Sequence, residues 1–189
     1  RRGDQAQSVL RDLLHFGRPH SPRPAVCGVE AFLTSVLEII RPKARTSRLE
    51  ISLDVPLPLE PARLDSRMLS QVIVNLLLNA LDAVQEAFPQ GGGRIILRAA
   101  RDDANNLAIS VSDNGSGIKE KDMGKIFDPF FTTKAPGAGT GLGLTVTFGM
   151  VRDMGGQLEV SCPPPDHNEA RMTVFTVTLP ADCVEEGHA

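Results

Sequence analysis

The sequence predicts an α+β fold: a two-layer α/β sandwich in which a mixed, mostly antiparallel sheet packs against three helices. The first observation is that segments with helical periodicity and segments with strand-like alternation follow each other along the chain. Helices are expected at 30–40, 65–88 and 140–154, and strands at 25–29, 49–55, 94–100, 107–112, 157–161 and 172–179. The second is the short polar loop at 102–106, which predicts an antiparallel hairpin between the strands on either side.

Capping and turn residues mark the ends of these elements. Asp65 or Ser66 is expected to cap the second helix, because short polar side chains accept hydrogen bonds from the first free amides of a helix. A run of three glycines at 91–93 predicts a turn, and a glycine pair at 155–156 closes the third helix. Residues 114–140 form a long glycine-rich segment, which inside a compact domain is usually functional or disordered.

One main domain with a helical appendage is expected. Residues 1–18 are expected to be the end of a longer helix, since their apolar side chains share one side and no cap precedes them. A proline-containing linker is expected at 19–24, the main domain at 25–181 and a frayed tail at 182–189.

Composition argues against several classes of protein. The 189 residues are 41% hydrophobic, so a packed core is expected. The formal net charge of −3 argues against a general nucleic-acid-binding surface. No apolar stretch looks long enough to cross a bilayer and no signal peptide is visible, so a cytoplasmic fragment without membrane contact is expected. The three cysteines are widely spaced and form no metal-ligand pattern, which favours reduced thiols.

The second predicted helix carries a polar stripe on an otherwise apolar sequence. The stripe consists of Gln71, Asn75, Asn79 and Asp82. On a helix these positions fall within a sector of about 80°. An amide buried without a partner costs about 1–3 kcal/mol, so the stripe predicts a polar partner. Amide and carboxylate oxygens suit magnesium or the rim of a ligand pocket, although a helix face that meets water gives the same pattern.

Three further segments follow the polar stripe. They are 113–118 (Asp-Asn-Gly-Ser-Gly-Ile), 126–134 (Ile-Phe-Asp-Pro-Phe-Phe-Thr-Thr-Lys) and 137–144 (Gly-Ala-Gly-Thr-Gly-Leu-Gly-Leu). Each alone is compatible with ordinary turns, since glycine clusters usually mark loops. The last segment leads into a helix, where exposed backbone amides and the helix dipole favour an anion such as a triphosphate.

Together, the polar stripe and these segments resemble the ATP-binding domain of bacterial sensor histidine kinases. They are similar in order and spacing to the family's asparagine box, first glycine box, phenylalanine box and second glycine box, and the resemblance runs from about Leu10 to Pro180. It implies the Bergerat-type ATP-binding fold, with ATP and Mg²⁺ as cofactors. It also implies that residues 1–18 end a dimerisation hairpin. The Phe-Phe-Thr-Thr-Lys run resembles the nitrogen-regulation branch most.

The resemblance implies roles for individual residues. Asn75 and Asn79 would hold magnesium, and with Lys134 they form the expected catalytic group. Asp113 would accept a hydrogen bond from the adenine amino group, with Thr173 nearby. The expected nucleotide-binding residues are Asn79, Asp82, Asp113, Gly115, Gly117, Ile118, Phe131, Thr132, Thr133, Lys134, Gly139, Thr140, Gly141, Leu142, Gly143, Leu144 and Thr173.

Simpler explanations stay open for some of these residues. Asp113, in the run Asp-Asn-Gly, is also typical of a turn. Asp82 would orient a water or the base, but a solvated acid on a helix surface is an equal alternative. Lys134 would reach a phosphate, but exposed lysines often have no specific partner. Burial is expected for Phe127, Phe130 and Phe131, and a solvated loop for the basic cluster Arg41, Lys43, Arg45 and Arg48.

Position 75 distinguishes kinases from ATPases with this fold. Related ATPases (gyrase B and the MutL repair proteins) carry a glutamate there as general base, whereas Asn75 cannot take a proton. Phosphoryl transfer depends mostly on positioning and charge neutralisation, which the site can offer to a histidine brought from outside. None of the four histidines, at 15, 20, 167 and 188, fits the family's acceptor pattern, so this fragment is expected to bind ATP without phosphorylating itself.

The resemblance therefore implies the catalytic domain of a sensor histidine kinase. Such a protein transfers the γ-phosphoryl group of ATP to a histidine on its own hairpin and then to a response-regulator aspartate. The full-length protein is expected to be a homodimer, and its anchoring to the inner membrane is left open. Two alternatives remain: an anti-sigma-factor serine kinase with the same fold, and a nucleotide-responsive binding module without catalysis.

Overall fold

The computed structural model describes residues 22–134, 139–162 and 172–180. The strands are β1 (Ala25–Cys27), β2 (Glu50–Asp54), β3 (Ala62–Leu64), β4 (Arg94–Arg101), β5 (Leu107–Asp113), β6 (Gln157–Ser161) and β7 (Thr173–Leu179). The helices are α1 (Val29–Thr46), α2 (Ser66–Ala87), α3 (Glu120–Met123) and α4 (Gly143–Asp153). The expected appendage at 1–18 and tail at 182–189 lie outside the described residues.

Five of the strands form one mixed sheet in the order β2-β4-β5-β7-β6. The pairing of β2 with β4 is parallel, and the other three pairings are antiparallel. A separate antiparallel pair joins β1 and β3. The sheet alternates buried and more exposed positions, as in β5, where every second residue is buried. The predicted α+β class with a mostly antiparallel sheet is confirmed.

The core lies between the sheet and the helices α1, α2 and α4, with α2 at its centre. Nine residues of α2 are buried, against six of α1 and three of α4. Burying one large aliphatic side chain contributes about 1.5–3 kcal/mol, so the apolar face of α2 is a major source of stability. By length and composition alone, α2 could cross a membrane, contrary to the expectation from sequence. Its burial in the core accounts for that apolar character.

The N-terminal cap fixes where α2 begins. Asp65 accepts a hydrogen bond from the backbone N–H of Met68 at 2.9 Å, so Asp65 rather than Ser66 is the cap. Its second carboxylate oxygen accepts the N–H of Arg23 at 2.8 Å. The same side chain therefore ties the segment before β1 to the start of the central helix.

Two helix boundaries differ from the predictions by more than one residue. The first helix continues to Thr46 through Pro42, because Ala44 packs into the core and tertiary burial outweighs the cost of an internal proline. The last helix begins at Gly143 rather than Thr140, because Gly141 has a φ of +67°, which no right-handed helix accommodates.

Two elements were missed, and the expectation for three basic residues was wrong. The strand β3 and the helix α3 span only three and four residues, too few for a recognisable period. The expectation of a basic loop was wrong for Arg41, Lys43 and Arg45, which all lie in α1.

Candidate functional site

The polar stripe of α2 is the line along which the other motifs meet. Asn75, Asn79 and Asp82 are each half-buried, while the neighbouring apolar positions of α2 lie in the core. The second glycine box contacts the stripe at Asn75, and Lys134 contacts it at Asp82. The first glycine box packs on the backbone just beyond. The stripe is therefore a contact surface rather than a helix face that simply meets water.

Asn75 is fixed by the start of α4. Its Nδ2 donates to the Thr147 hydroxyl at 2.6 Å, and that hydroxyl donates to the Gly143 carbonyl at 2.9 Å. A Cβ on Gly143 would lie 3.0 Å from Asn75 Oδ1, so a larger residue there would require the Asn75 side chain to move by a few tenths of an ångström. Thr147, only 2% exposed, was missed, although a hydroxyl one turn after Gly143 in an apolar helix is a recognisable feature.

Asn79 presents an unsatisfied polar atom. Its Nδ2 is buried, and no described residue offers it a hydrogen-bond partner. Most buried polar groups in proteins are paired, so an orphan of this kind marks a place where a ligand can supply the partner. Because a side-chain amide can turn over, this position can present its N–H to an anion or its oxygen to a cation.

Asp82 lies between two lysines. Lys134 Nζ is 2.6 Å from one carboxylate oxygen, and Lys43 Nζ is 3.7 Å from the other. Lys134 ends the phenylalanine box and Lys43 comes from α1, so three separate parts of the chain meet at this carboxylate. In this structure Asp82 is paired with lysines, which argues against a merely solvated acid.

Asp113 and Thr173 lie opposite each other at the ends of β5 and β7. Asp113 is only 2% exposed, and its Oδ1 accepts the N–H of Gly115 at 2.9 Å. Burial raises the pKa of Asp113 to about 6, and the hydrogen bond from Gly115 opposes that shift. A carboxyl held in this way offers a buried acceptor whose charge changes near neutral pH.

A cysteine joins this cluster and was missed at the sequence level. Cys162 Sγ accepts the backbone N–H of Ile118 at 3.3 Å and lies 3.6 Å from the Thr173 hydroxyl. It forms no disulfide within the described part of the chain. Gly117, with a φ of +73°, turns the first glycine box so that Ile118 reaches this position. Nothing in the spacing of the cysteines indicated this contact.

The first glycine box packs directly on the backbone of α2. A Cβ on Gly115 would lie 2.5 Å from the carbonyl carbon of Ala83 and 2.7 Å from the backbone nitrogen of Val84. The N–H of Ser116 donates to the Ala83 carbonyl at 3.1 Å. Glycine at 115 is therefore required by close approach of two backbones, and this approach brings Asp113 beside the polar stripe.

Replacing Gly115 by alanine is expected to destabilise the domain by about 1–3 kcal/mol, because the new methyl group meets backbone atoms that cannot move aside. The matched control is Gly149→Ala, in the exposed interior of α4, where a Cβ meets nothing within 4 Å. That variant should gain about 0.5–1 kcal/mol. Urea unfolding of both variants measures the difference, and equal effects would contradict the packing.

The second glycine box folds back on the phenylalanine box. A Cβ on Gly141 would lie 2.3 Å from the carbonyl carbon of Phe130, and one on Gly139 would lie 2.9 Å from the Thr132 hydroxyl. The Thr140 hydroxyl accepts the N–H of Leu142 at 3.2 Å, which shapes the turn before α4. Leu142 is buried, and Leu144 is partly buried and packs against the core.

The phenylalanines of the phenylalanine box do not all behave as expected. Phe127 packs against Phe148 with ring centroids 5.3 Å apart, and Phe131 also packs against the core. The prediction of burial was wrong for Phe130, which is 69% exposed. Its φ of +66° turns the chain there, so that its backbone rather than its side chain meets Gly141.

Two further predicted site residues, Thr132 and Thr133, are both exposed. The Thr132 hydroxyl accepts the N–H of Lys134 at 3.2 Å. The beginning of the second glycine box at 137–138 lies outside the described residues, as do all four histidines.

The described residues contain no group of three His, Cys, Asp or Glu side chains able to hold a metal ion. On the stripe, the side-chain oxygens that a metal could use belong to the Asn75 and Asn79 amides and the Asp82 carboxylate. A separate cavity of about 210 Å³ lies beside the N-terminal end of α2, where Asp65 and Met154 are among the lining residues. Its lining includes no residue of the four motifs.

Among curated proteins, the chain is 34% identical to the sensor kinase CckA of Brucella abortus, over 98% of this chain and 20% of that protein. It is 31% identical to the signal transduction histidine-protein kinase AtoS of Escherichia coli, over 94% of this chain and 27% of that protein. The chain therefore spans about a fifth to a quarter of the length of these relatives.

Solved structures are also similar to this chain. Full-length ShkA, in complex with AMPPNP, is similar with a TM-score of 0.82 and 26% identity, over 96% of this chain and 37% of that one. The nucleotide-free catalytic domain of the histidine kinase ThkA matches with a TM-score of 0.69 and 26% identity, over 84% of this chain and 95% of that one. These matches confirm the predicted ATP-binding fold.

The family model for histidine kinase-, DNA gyrase B- and HSP90-like ATPases matches residues 64–182, which include the polar stripe and all three later motifs. This range is more than half of the 189 residues. The resemblance predicted from the four motifs is confirmed, and the chain belongs to the histidine kinase-, DNA gyrase B- and HSP90-like ATPase family.

Proposed function

We propose that this chain is the ATP-binding catalytic domain of a two-component sensor histidine kinase. The parent protein would transfer the γ-phosphoryl group of ATP to a histidine on its dimerisation hairpin, for relay to a response-regulator aspartate. The observation that carries this proposal is the convergence of the two glycine boxes and Lys134 on the polar stripe of α2. The relatives support it, since they are named as sensor kinases and not as serine kinases or binding modules.

The base of ATP would bind between β5, β7 and the first glycine box. Asp113 would accept a hydrogen bond from the adenine amino group, with the Thr173 hydroxyl beside it. The burial of both residues supports this role, because a hydrogen bond to a charged group is strongest where water is excluded. Gly115 and Gly117 let the backbone pass close to a flat base, and Ile118 would provide apolar contact.

The triphosphate would bind at the N-terminal end of α4. Backbone amides around Gly139, Gly141 and Gly143 precede the helix, where its dipole is positive. Lys134 would supply a charge-assisted hydrogen bond to a phosphate oxygen. The closeness of Gly139 to Lys134, whose Cδ would lie 3.2 Å from an added Cβ, supports their joint use. Phe131, Thr132, Thr133, Thr140, Leu142 and Leu144 would shape or line this end of the site.

The two amides of α2 fit a magnesium site. Magnesium keeps several waters and takes few protein ligands, so Asn75 and Asn79 suffice. The unpaired amide of Asn79 could serve once it is turned so that its oxygen takes the place of Nδ2. The Asn75 nitrogen donates to Thr147, which leaves the Asn75 oxygen for a cation. When bound, Mg²⁺ would neutralise charge on the phosphate oxygens.

The residue at position 75 supports transfer to a histidine rather than hydrolysis. Asn75 cannot act as a general base for water, and its amide is already engaged by Thr147. The site would therefore supply positioning and charge neutralisation and leave the nucleophile to another element.

We place the domain in the cytoplasm, where ATP and response regulators are found, and expect the parent protein to act as a homodimer.

Phosphotransfer tests the proposal. The domain is mixed with its separately made hairpin and γ-labelled ATP, and acid-labile label is expected on a histidine of the hairpin. The control omits the hairpin and should leave the domain unlabelled, since the described site contains no histidine. Acid-stable phosphoserine on a partner would support the serine-kinase alternative instead. Tight ATP binding with no transfer would support the binding module.

A further inference from the structure

Asp82 lies between Lys43 and Lys134, and the proposed function gives a role to Lys134 alone. Asp82 lies on the polar stripe, less than one turn beyond Asn79, so its negative charge stands beside the proposed triphosphate site. Lys134 pairs with it at 2.6 Å, and Lys43 approaches its other oxygen to 3.7 Å. All three side chains are partly exposed, so neither ion pair is locked by burial.

A carboxylate next to a triphosphate opposes binding unless a cation compensates it. Lys134 carries a single positive charge, so it cannot fully neutralise both the Asp82 carboxylate and the triphosphate. Exposed ion pairs between side chains are weak, so the densely charged triphosphate can draw Lys134 away from Asp82. Asp82 would then keep a neighbouring cation only because Lys43 is already within ion-pair distance.

We propose that Lys43 is a positioning residue for ATP binding, acting through Asp82. In the nucleotide-free protein the two lysines share the carboxylate. When phosphates take Lys134, Lys43 holds Asp82 and offsets its repulsion of the triphosphate. This inference rests on the proposed function and assigns Lys43, which sequence analysis placed in a solvated loop, to the charge balance of the phosphate site.

Binding of Mg-ATP and of adenosine, measured by calorimetry, tests the inference. Asp82→Asn should tighten ATP binding about 3- to 10-fold, because a repulsive charge is removed and Lys134 is released. Lys43→Met should weaken ATP binding about 3-fold when Asp82 is present and have no effect in the Asp82→Asn background. Adenosine affinity should not change in any variant, because adenosine has no phosphates.

The matched control is Asp54→Asn, which removes another partly exposed carboxylate, paired with Arg98 at 3.0 Å on the edge of the sheet. It changes the net charge equally and should leave ATP affinity unchanged. If the parent chain binds ATP, two outcomes would overturn this inference but leave the proposed function standing. They are weaker ATP binding by Asp82→Asn, and an equal effect of Lys43→Met with and without the Asp82→Asn substitution. A parent chain that does not bind ATP would overturn the proposed function and this inference with it.

Discussion

Replacing Asp113 by asparagine is expected to weaken ATP binding about 100-fold. The variant places an amide donor where the adenine amino group needs an acceptor, so it removes a charge-assisted hydrogen bond and adds an opposed donor. Calorimetry with ATP measures the loss, and GTP, which has no amino group at the same ring position, serves as comparison. Retained ATP affinity would show that Asp113 only shapes the turn before Gly115.

The raised pKa of Asp113 adds a dependence on pH that the variant should lack. As the pH falls from about 7.5 to about 5, the carboxyl with a pKa of about 6 becomes protonated, and ATP affinity of the parent should fall about tenfold. The Asp113→Asn variant should show only the smaller change that comes from titration of the nucleotide itself. Parallel pH profiles for the two proteins would contradict the assignment.

The Asp113 carboxyl also makes the stability of the domain depend on pH, and here the direction is reversed: a higher pH favours ATP binding but lowers stability. Its pKa is about 6 in the folded protein and 3.8 ordinarily, so the folded state holds this proton more tightly than the unfolded chain. The resulting contribution to the free energy of unfolding is fully present below about pH 3.8 and is lost as the pH rises through about 6. At pH 7.5, Asp113→Asn should therefore be as stable as the parent or more stable, by up to about 3 kcal/mol. Urea unfolding at both ends of the pH range checks this sign.

Asn79→Ala is expected to remove magnesium-dependent ATP binding while the fold stays intact. The loss should reach about 10- to 100-fold, as expected for one interaction with a charged group. Stability should change little, because the Nδ2 atom has no partner among the described residues and removing an unsatisfied polar atom costs nothing in hydrogen bonding. Calorimetry with and without magnesium provides the measurement.

Gln71→Ala is the matched control for Asn79→Ala. It shortens another half-buried amide on the same stripe, two turns earlier, which is not among the nearest neighbours of any described glycine. ATP affinity of this variant should stay at the parent level. Unchanged affinity of Asn79→Ala, or an equal loss in both variants, would refute the role given to Asn79.

Strand pairing shows which parts of the fold could be predicted from the sequence and which could not. Alternation predicted the hairpin of β4 and β5 within one residue at each end, because the two strands are adjacent in the chain and a short loop sets their register. The parallel pairing of β2 with β4 was not visible, since those strands are separated by a helix and no local pattern fixes their relative direction. Boundaries failed where tertiary packing or a positive φ decided them, as at Pro42 and Gly141.

By itself the sequence determined the order of the motifs, the apolar face of α2, the polar stripe on it and the asparagine that stands in place of a general base. These features depend on residue identity and on spacing within a single element, which the printed chain contains. Only the tertiary structure decided that Thr147 holds Asn75, that Cys162 touches Thr173, that Phe130 faces outward and that Lys43 reaches Asp82. Each of those facts is a contact or an exposure that depends on a different element of the chain, and Thr147 is 72 residues from Asn75. Side-chain periodicity within one element contains no information about such partners.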